Sequence, residues 1–290
     1  MSATDLEGAG EEQGQGPAAE TRQGRQQARQ RAITEAVMAA GTIRIEQLAD
    51  RFDISVMTVH RDLDELEARG LLRKSRGIAT ATSSLLVESS DVYRAARQRR
   101  EKEALAAAAM EHLEPGQAVL LDDSTTVQHM ARHLSAKAPL TVITNALPLL
   151  NELRVARGVT LLGLGGTYYN WCSAFMGSMT TRMIASLRAD VLVMSTAAIT
   201  DDVVFHQALE TVDVKRAMLE AAGKRILLAD HTKFERRALH ALVPLTEFDV
   251  VVVDEATPEP TVDRLRRSGV EVVVAGQPGG EPQIEEEDEG

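Results

Sequence analysis

The chain has 290 residues, 44% of them hydrophobic, enough for two domains of ordinary size with real cores. No run is apolar enough to span a membrane, the N-terminus is polar and acidic rather than basic-then-apolar, and one cysteine, Cys172, excludes an internal disulfide framework and fits a reducing cytoplasm. The net charge of -11 argues against a nucleic-acid ligand only until it is located: residues 1–24 carry five acids against one arginine, residues 279–290 carry six acids and no base, and residues 25–82 carry ten Arg or Lys against eight Asp or Glu.

Residues 1–24 are rich in Gly, Gln, Glu and Ala and predict a disordered tail. Ile33, Ala36, Val37 and Ala40 then fall at i, i+3, i+4 and i+7, one face of a helix. Ile45, Leu48, Ala49 and Phe52 repeat that spacing. Asp53-Ile54-Ser55 breaks it, with Ser55 placed to cap a further helix. In that helix Val56, Val59, Leu63 and Leu66 predict an inward stripe. Met57, Thr58, Arg61 and Glu65 lie opposite, with His60 at the boundary. Thr, Met, His and Arg in the first turns of an exposed helix reach base edges and phosphates in a major groove, so residues 55–68 predict a recognition helix. Gly70-Leu71-Leu72-Arg73-Lys74-Ser75-Arg76-Gly77-Ile78-Ala79 suits a β-wing beside that groove. Without the basic wing, an ordinary three-helix packing module would explain the pattern equally well. The candidate DNA contacts are Ser55, Met57, Thr58, His60, Arg61, Arg73, Lys74 and Arg76.

Residues 83–91 predict a polar hinge, and 92–113 a long Ala-rich helix with a basic start at 97–102. From residue 116 short β-branched runs alternate with helical patterns. Strands are predicted at 118–121, 140–144, 159–164, 191–195, 225–229, 250–254 and 270–274. Helices are predicted between them at 126–134, 147–156, 174–187, 212–221 and 260–268. Such alternation implies a parallel sheet covered on both faces, with ligands bound at the carboxyl ends of its strands. Polar residues gather at those ends: Asp122-Asp123-Ser124-Thr125-Thr126, Thr144-Asn145, Gly165-Gly166-Thr167, Ser195-Thr196 and Asp230-His231-Thr232-Lys233. Residues 277–290 predict a second, acidic disordered tail.

Tyr168, Tyr169 and Trp171 could stack on a sugar or equally anchor a core. His129 and His133 share a helix face at metal-ligand spacing, but no third ligand stands out, so no metal site is expected. Met176, Met179 and Met183 predict a packing stripe, and Cys172 a structural position.

Ser55, Thr58, Arg61-Asp62-Leu63, Leu66, Gly70-Leu71-Leu72, Gly77 and Ala79 resemble the signature of the DeoR family of bacterial repressors, with departures at His60, Arg76 and Ile78. The second half resembles the sensor of that family, which is similar to sugar-phosphate isomerase folds. Its motifs match Asp122–Thr126 by position, Thr144-Asn145, Gly165-Gly166, the helix carrying Lys215 through Met218, and Asp230 through Phe234. Ser124 and Thr196-Ala197-Ala198 stand where the family has glycines. The resemblance implies an N-terminal winged helix-turn-helix (25–82), a hinge and linker helix (83–115) and a doubly wound parallel-sheet effector domain (116–276). It implies a repressor of a carbohydrate or related operon, acting on double-stranded operator DNA as at least a dimer and controlled by a phosphorylated sugar. The expected effector residues are Asp122, Ser124, Thr125, Thr126, Thr144, Asn145, Gly165, Gly166, Lys215, Asp230 and Lys233. No catalytic residue or cofactor is expected. The alternative is an isomerase-like enzyme with a nucleic-acid-binding appendage, using Asp122, Asp230 and Lys233 as acid–base groups. A constitutive architectural DNA-binding protein would leave the polar strand ends unexplained.

Overall fold

A computed structural model describes residues 22–40, 42–68, 72–81 and 91–276. The tails, apart from 22–24, and the hinge, apart from Asp91, lie outside the described residues.

The N-terminal module is built from α1 (Arg22–Ala40), β1 (Thr42–Arg44), α2 (Ile45–Phe52), α3 (Val56–Ala68), β2 (Leu72–Ser75) and β3 (Ile78–Ala81). Ile33, Ala36 and Val37 of α1 bury against Ile45, Leu48 and Ala49 of α2 and Val59, Leu63 and Leu66 of α3. Helical spacing therefore predicts this core, with two exceptions. Ala40 is exposed, and Val56 stays 42% exposed because it opens the helix ahead of the first inward turn. Asp53 ends α2 in a left-handed conformation, and Ser55 Oγ accepts from Thr58 N at 3.2 Å to cap α3. Arg76 and Gly77, at φ 48 and 76, close the β2–β3 hairpin with the positive-φ pair that a tight hairpin turn needs. β1 adds a third strand in the order β1-β3-β2, an element too short for periodicity to show.

The predicted linker helix is broken. α4 (Asp91–Ala96) and α5 (Arg99–Met110) meet at Gln98, which adopts left-handed φ 48 and ψ 43. The chain then runs through β4 (Ala118–Leu121), β5 (Leu140–Thr144), α6 (Leu147–Leu153), β6 (Val159–Gly163), β7 (Thr167–Tyr169), β8 (Ala174–Met176) and α7 (Ser178–Ala185). It continues with β9 (Ala189–Ser195), β10 (Ala198–Thr200), β11 (Val203–His206), α8 (Leu209–Ala221) and β12 (Ala222–Ala229). It ends with β13 (His240–Pro244), β14 (Val250–Asp254), α9 (Glu259–Arg267) and β15 (Glu271–Ala275). All seven predicted strands form one parallel sheet, ordered β15-β14-β12-β9-β4-β5-β6.

Alternation along the strands divides the interior. Val119 and Leu121 of β4 face one cluster, with Leu105 and Ala109 of α5 and Leu149 of α6. Leu120 faces the other, with Ile184 of α7, Met218 of α8 and Leu265 of α9. Helices thus cover both faces, as the sequence predicts.

Three predicted helices change form. Residues 126–134 make a 3-10 turn at Val127–Arg132. Residues 147–156 shorten to α6. Residues 174–187 split into β8 and α7 at Gly177, whose φ of 93 breaks the helical path. The break also dissolves the methionine stripe: Met176 is buried in β8, while Met179 on α7 is 61% exposed. Two small antiparallel sheets, β7-β8 and β10-β11-β13, escape the sequence patterns. The β10–β11 turn uses Asp201 and Asp202 at φ 50 and 59, without the glycine that usually signals such a hairpin.

Candidate functional site

On the N-terminal module, α3 presents its first turns outward. Met57 is 70% exposed, Arg61 is exposed and His60 is half-buried. The Thr58 hydroxyl lies 2.8 Å from Ser55 Oγ, so these two side chains close the cap together. Arg73 and Arg76 are exposed on the wing, Arg76 at its tip. Lys74 is turned back: its ammonium pairs with Asp64 of α3, and its backbone N–H donates to Glu67 Oε1 at 2.9 Å. Asp62, between exposed Arg61 and core Leu63, is buried and accepts from Arg29 Nε at 2.6 Å, Arg29 Nη2 at 3.1 Å and Gln30 Nε2 at 3.3 Å on α1. Only its place in the Arg-Asp-Leu motif marked it in the sequence; its partner Arg29 did not stand out. Arg51, which the sequence also left unremarked, lies over the Phe52 ring at 5.8 Å.

In the second domain a cleft opens at the carboxyl ends of β4, β9 and β12. The strand order reverses between β4 and β9, because the chain builds outward from β4 through β5 and β6 before crossing to β9. That crevice is where open parallel sheets bind ligands. The cleft is lined by Ser124, Thr125 and Thr126 after β4, Ser195 and Thr196 at β9, and Asp230, Lys233 and Arg236 after β12. Arg94 of α4, Arg97 and Gln98 of the elbow and Lys102 of α5 complete it. Five cations thus meet one carboxylate. The Ser195 hydroxyl oxygen is buried with no hydrogen-bond partner among the described residues.

Asp122 lies beneath the cleft. Its carboxylate accepts from Ser124 N at 3.0 Å and Ser195 N at 2.9 Å, and it pairs with the Lys215 ammonium. Lys215 also donates to Ser195 O at 3.1 Å. This pair, essentially without solvent exposure, fixes the loops that form two cleft walls. Lys102 is buried too. Its ammonium donates to Thr125 Oγ1 at 3.0 Å and to the Arg94 carbonyl. Burial, then the charges of Lys233, Arg94 and Arg236, outweigh Asp230 and push Lys102 down to about 7. For Asp230, burial acts to raise the carboxyl, but Lys233, the Thr232 hydrogen bond, Arg236 and Lys102 together hold it below its ordinary value. His206, buried close by, is kept neutral by burial first and by Lys215, Arg94 and Lys233 next.

Of the expected effector residues, the structure brings Ser124, Thr125, Thr126, Asp230 and Lys233 to the cleft lining and leaves the others off it. Asp122 and Lys215 support it from below. Thr144 and Asn145 are buried in the joint with β8: Thr144 Oγ1 accepts from Ala146 N at 3.1 Å, and Asn145 Nδ2 donates to Phe175 O at 2.9 Å. Gly166 serves close packing, whereas a Cβ on Gly165 would meet nothing within 4 Å. The Gly165 carbonyl accepts from Thr180 Oγ1 at 2.8 Å, and a Cβ on Gly166 would stand 2.1 Å from Thr180 Oγ1 and 2.7 Å from Met176 O. A side chain at Gly166 would therefore strain this packing instead of filling a ligand's place.

Sequence reasoning places Ser195-Thr196 at a polar strand end without counting it among the effector residues, and misses Arg94, Arg97, Gln98, Lys102 and Arg236 as lining residues. The basic start at 97–102 was the available signal. Tyr169 and Trp171 pack on the core, whereas Tyr168 is exposed and tilts against Phe175 with ring centroids 5.4 Å apart. His129 Nδ1 and His133 Nε2 both face the Glu103 carboxylate, at 2.8 and 2.9 Å. Cys172 is buried. Among the described residues no helix is long and apolar enough to cross a membrane.

Two family models match the chain: a DeoR-like helix-turn-helix domain over residues 29–84 and a DeoR C terminal sensor domain over residues 97–255. A transcriptional repressor of Agrobacterium fabrum, AccR, is 32% identical over 233 residues, covering 80% of this chain and 90% of its own length. A putative aga operon transcriptional repressor of Escherichia coli O157:H7 is 30% identical, covering 86% and 94%. The lactose phosphotransferase system repressor of Lactococcus lactis is 31% identical, covering 77% and 88%. Among solved structures, ribose 5-phosphate isomerase A of Methanocaldococcus jannaschii overlaps 46% of this chain and 53% of its own at 12% identity and a TM-score of 0.34. The Pyrococcus horikoshii translation initiation factor eIF-2B overlaps 74% and 75% at 14% identity and a TM-score of 0.39.

Proposed function

Because the chain belongs to the DeoR family of transcriptional regulators, we propose that it represses a carbohydrate or related metabolic operon and that a small phosphorylated sugar sets its hold on double-stranded operator DNA. The observation that carries this reading is the cleft at the β4–β9 reversal, where five cations and three consecutive hydroxyl residues converge. A phosphate monoester is small, doubly charged and rich in acceptors, and matches that lining. Asp230, buried in the lining and held ionised by the cations around it, supplies the cleft's acceptor for a sugar hydroxyl. Arg61 and Met57 on α3 read base edges, and Arg73 and Arg76 on the wing approach phosphates.

A homo-oligomer, at least a dimer, accompanies this reading, because two recognition helices read a two-fold operator. The setting is cytoplasmic, where DNA and phosphorylated sugars meet. An isomerase-like activity has less support in the cleft, since Asp122, one of its three acid–base candidates, is buried beneath it and paired with Lys215.

The test is a thermal-shift panel of sugar phosphates, followed by operator mobility shifts and a turnover assay with whichever compounds bind. Binding to the native state alone raises apparent stability. A panel in which the unphosphorylated sugars stabilise as well as their phosphates would overturn the assignment of the cations. Turnover without any change in operator affinity would favour the enzyme.

A further inference from the structure

The cleft is not made by the sensor domain alone. Lys102 of α5 belongs with the sheet that α5 covers, but Arg94 of α4 and Arg97 and Gln98 of the elbow line the same cleft from the segment that leads in from the DNA-binding module, together with Ser124, Thr125, Thr126, Lys233 and Arg236. α4 has both ends tied to the sensor side. Its first N–H, on Asp91, donates to Trp171 O at 2.9 Å, and near its last turn the Arg94 carbonyl accepts from the Lys102 ammonium. The same ammonium donates to Thr125 Oγ1 at 3.0 Å, so one buried amine touches both the linker and the first loop of the sheet. Between the two linker helices, Gln98 holds a left-handed conformation that a non-glycine residue adopts only when its surroundings impose it. On its other side α4 packs against α1, which is part of the DNA-binding module through its core with α2 and α3.

We infer that α4 and the Arg97–Gln98 elbow are the arm through which the DNA-binding module senses the cleft, because a phosphate bound there is gripped by linker and sensor groups at once and fixes the elbow. The inference rests on the reading of the cleft as the effector site. Arg94, Lys102, Lys233 and Arg236 crowd like charges around the elbow, with Asp230 among the charges that offset them. The depressed state of Lys102 reflects burial and that crowding. A dianion between them turns repulsion into attraction, and it acts on α4 as directly as on the sheet. Since α1 rests on α4, two seats of α4 mean two placements of α1. The anion's differential affinity for them is the coupling to DNA.

Hydrogen exchange on the full-length protein separates the parts of this proposal. The probe is inorganic phosphate, compared with chloride at matched ionic strength. Amides of residues 124–127 report the sheet side of the cleft, and those of 91–98 report the elbow. Both are expected to slow on adding phosphate, by about tenfold if the coupling is of ordinary size. In Arg97→Ala at saturating phosphate, slowing at 124–127 should persist through Lys102, Lys233 and Arg236, while slowing at 91–98 is lost. The phosphate response of operator affinity should be lost with it. Slowing at 124–127 without slowing at 91–98 in the natural protein would overturn the arm and leave the effector site standing. No slowing at either place would overturn both. An Arg97→Ala protein whose operator affinity still answers phosphate as the natural protein does would also overturn the arm.

Discussion

Arg61 projects from the exposed face of α3, and its replacement by alanine should weaken operator binding by about 1–3 kcal/mol while relaxing preference at one base pair. Competition binding with single-base operator variants checks this. Arg76→Ala should instead weaken all sequences alike and flatten the salt dependence of affinity by roughly one unit of slope. Lys74 is expected to contribute less to that slope than Arg76, because its ammonium already pairs with Asp64. The sequence shows three basic residues on the wing; which of them turns back onto α3 depends on a tertiary contact that no spacing rule encodes. Gly166 makes the same point in the sensor. Gly-Gly after a strand reads as a ligand loop, yet the space beside Gly166 is filled by Thr180 and the Met176 carbonyl. Gly166→Val should therefore overpack this joint by about 1–3 kcal/mol and lower the melting temperature. A folded variant of unchanged stability that no longer binds phosphate would restore the glycine to the ligand site.

Among the elements, α1 and α3 are joined by a buried carboxylate. Asp62→Ala removes the acceptor of Arg29 and Gln30 and should cost about 2 kcal/mol, in the range for hydrogen bonds to charged groups. Chemical denaturation of the full chain measures it, and Asp62→Asn should recover part of the loss by keeping an acceptor. Long, strongly patterned elements were legible: the apolar stripes of α1 and α2 and all seven strands of the parallel sheet follow from periodicity and β-branched runs. What escaped was short or locally unusual. β7, β8 and β10 have three residues each. The linker reads as one helix because Arg97, Gln98 and Arg99 are all good helix formers. The elbow at Gln98 goes with a tertiary contact, the packing of Lys102 against both Arg94 and Thr125, that no helical propensity encodes.

In the whole molecule, eight of the twelve residues lining the proposed site come from the strand ends, and five of those were expected from the sequence. The other four, Arg94, Arg97, Gln98 and Lys102, come from α4, the elbow and the start of α5, which reach those ends only after folding. This joint origin gives the cleft a pH dependence. Lys102 faces Arg94 on α4, Thr125 after β4, and Asp230, Lys233 and Arg236 after β12. Its value of about 7 in the folded chain lies below the ordinary 10.5. The unfolded chain therefore holds the extra proton across that window. The cost of burying the amine is fullest below the folded value and relaxes as pH rises above it. Thermal stability without anion should accordingly rise with this contribution from about pH 7 upward. Sulfate, whose two charges do not change over this range, should bind with uptake of a proton and weaken between about pH 6 and pH 8. Calorimetry in buffers of different ionisation enthalpy measures that proton, and pH-independent binding without uptake would remove Lys102 from the site.

The order of the sheet also bears on synthesis. β4 emerges first among the seven strands and ends in the middle, so one of its edges waits for β9, about seventy residues later. Until then Val119, Leu120 and Leu121 line an unpaired apolar edge, the kind that joins other chains. A fragment ending at Arg188 should accumulate as aggregates even though every element it contains is intact in sequence. Sedimentation of that fragment against the full chain tests this, and a soluble monomeric fragment would contradict it.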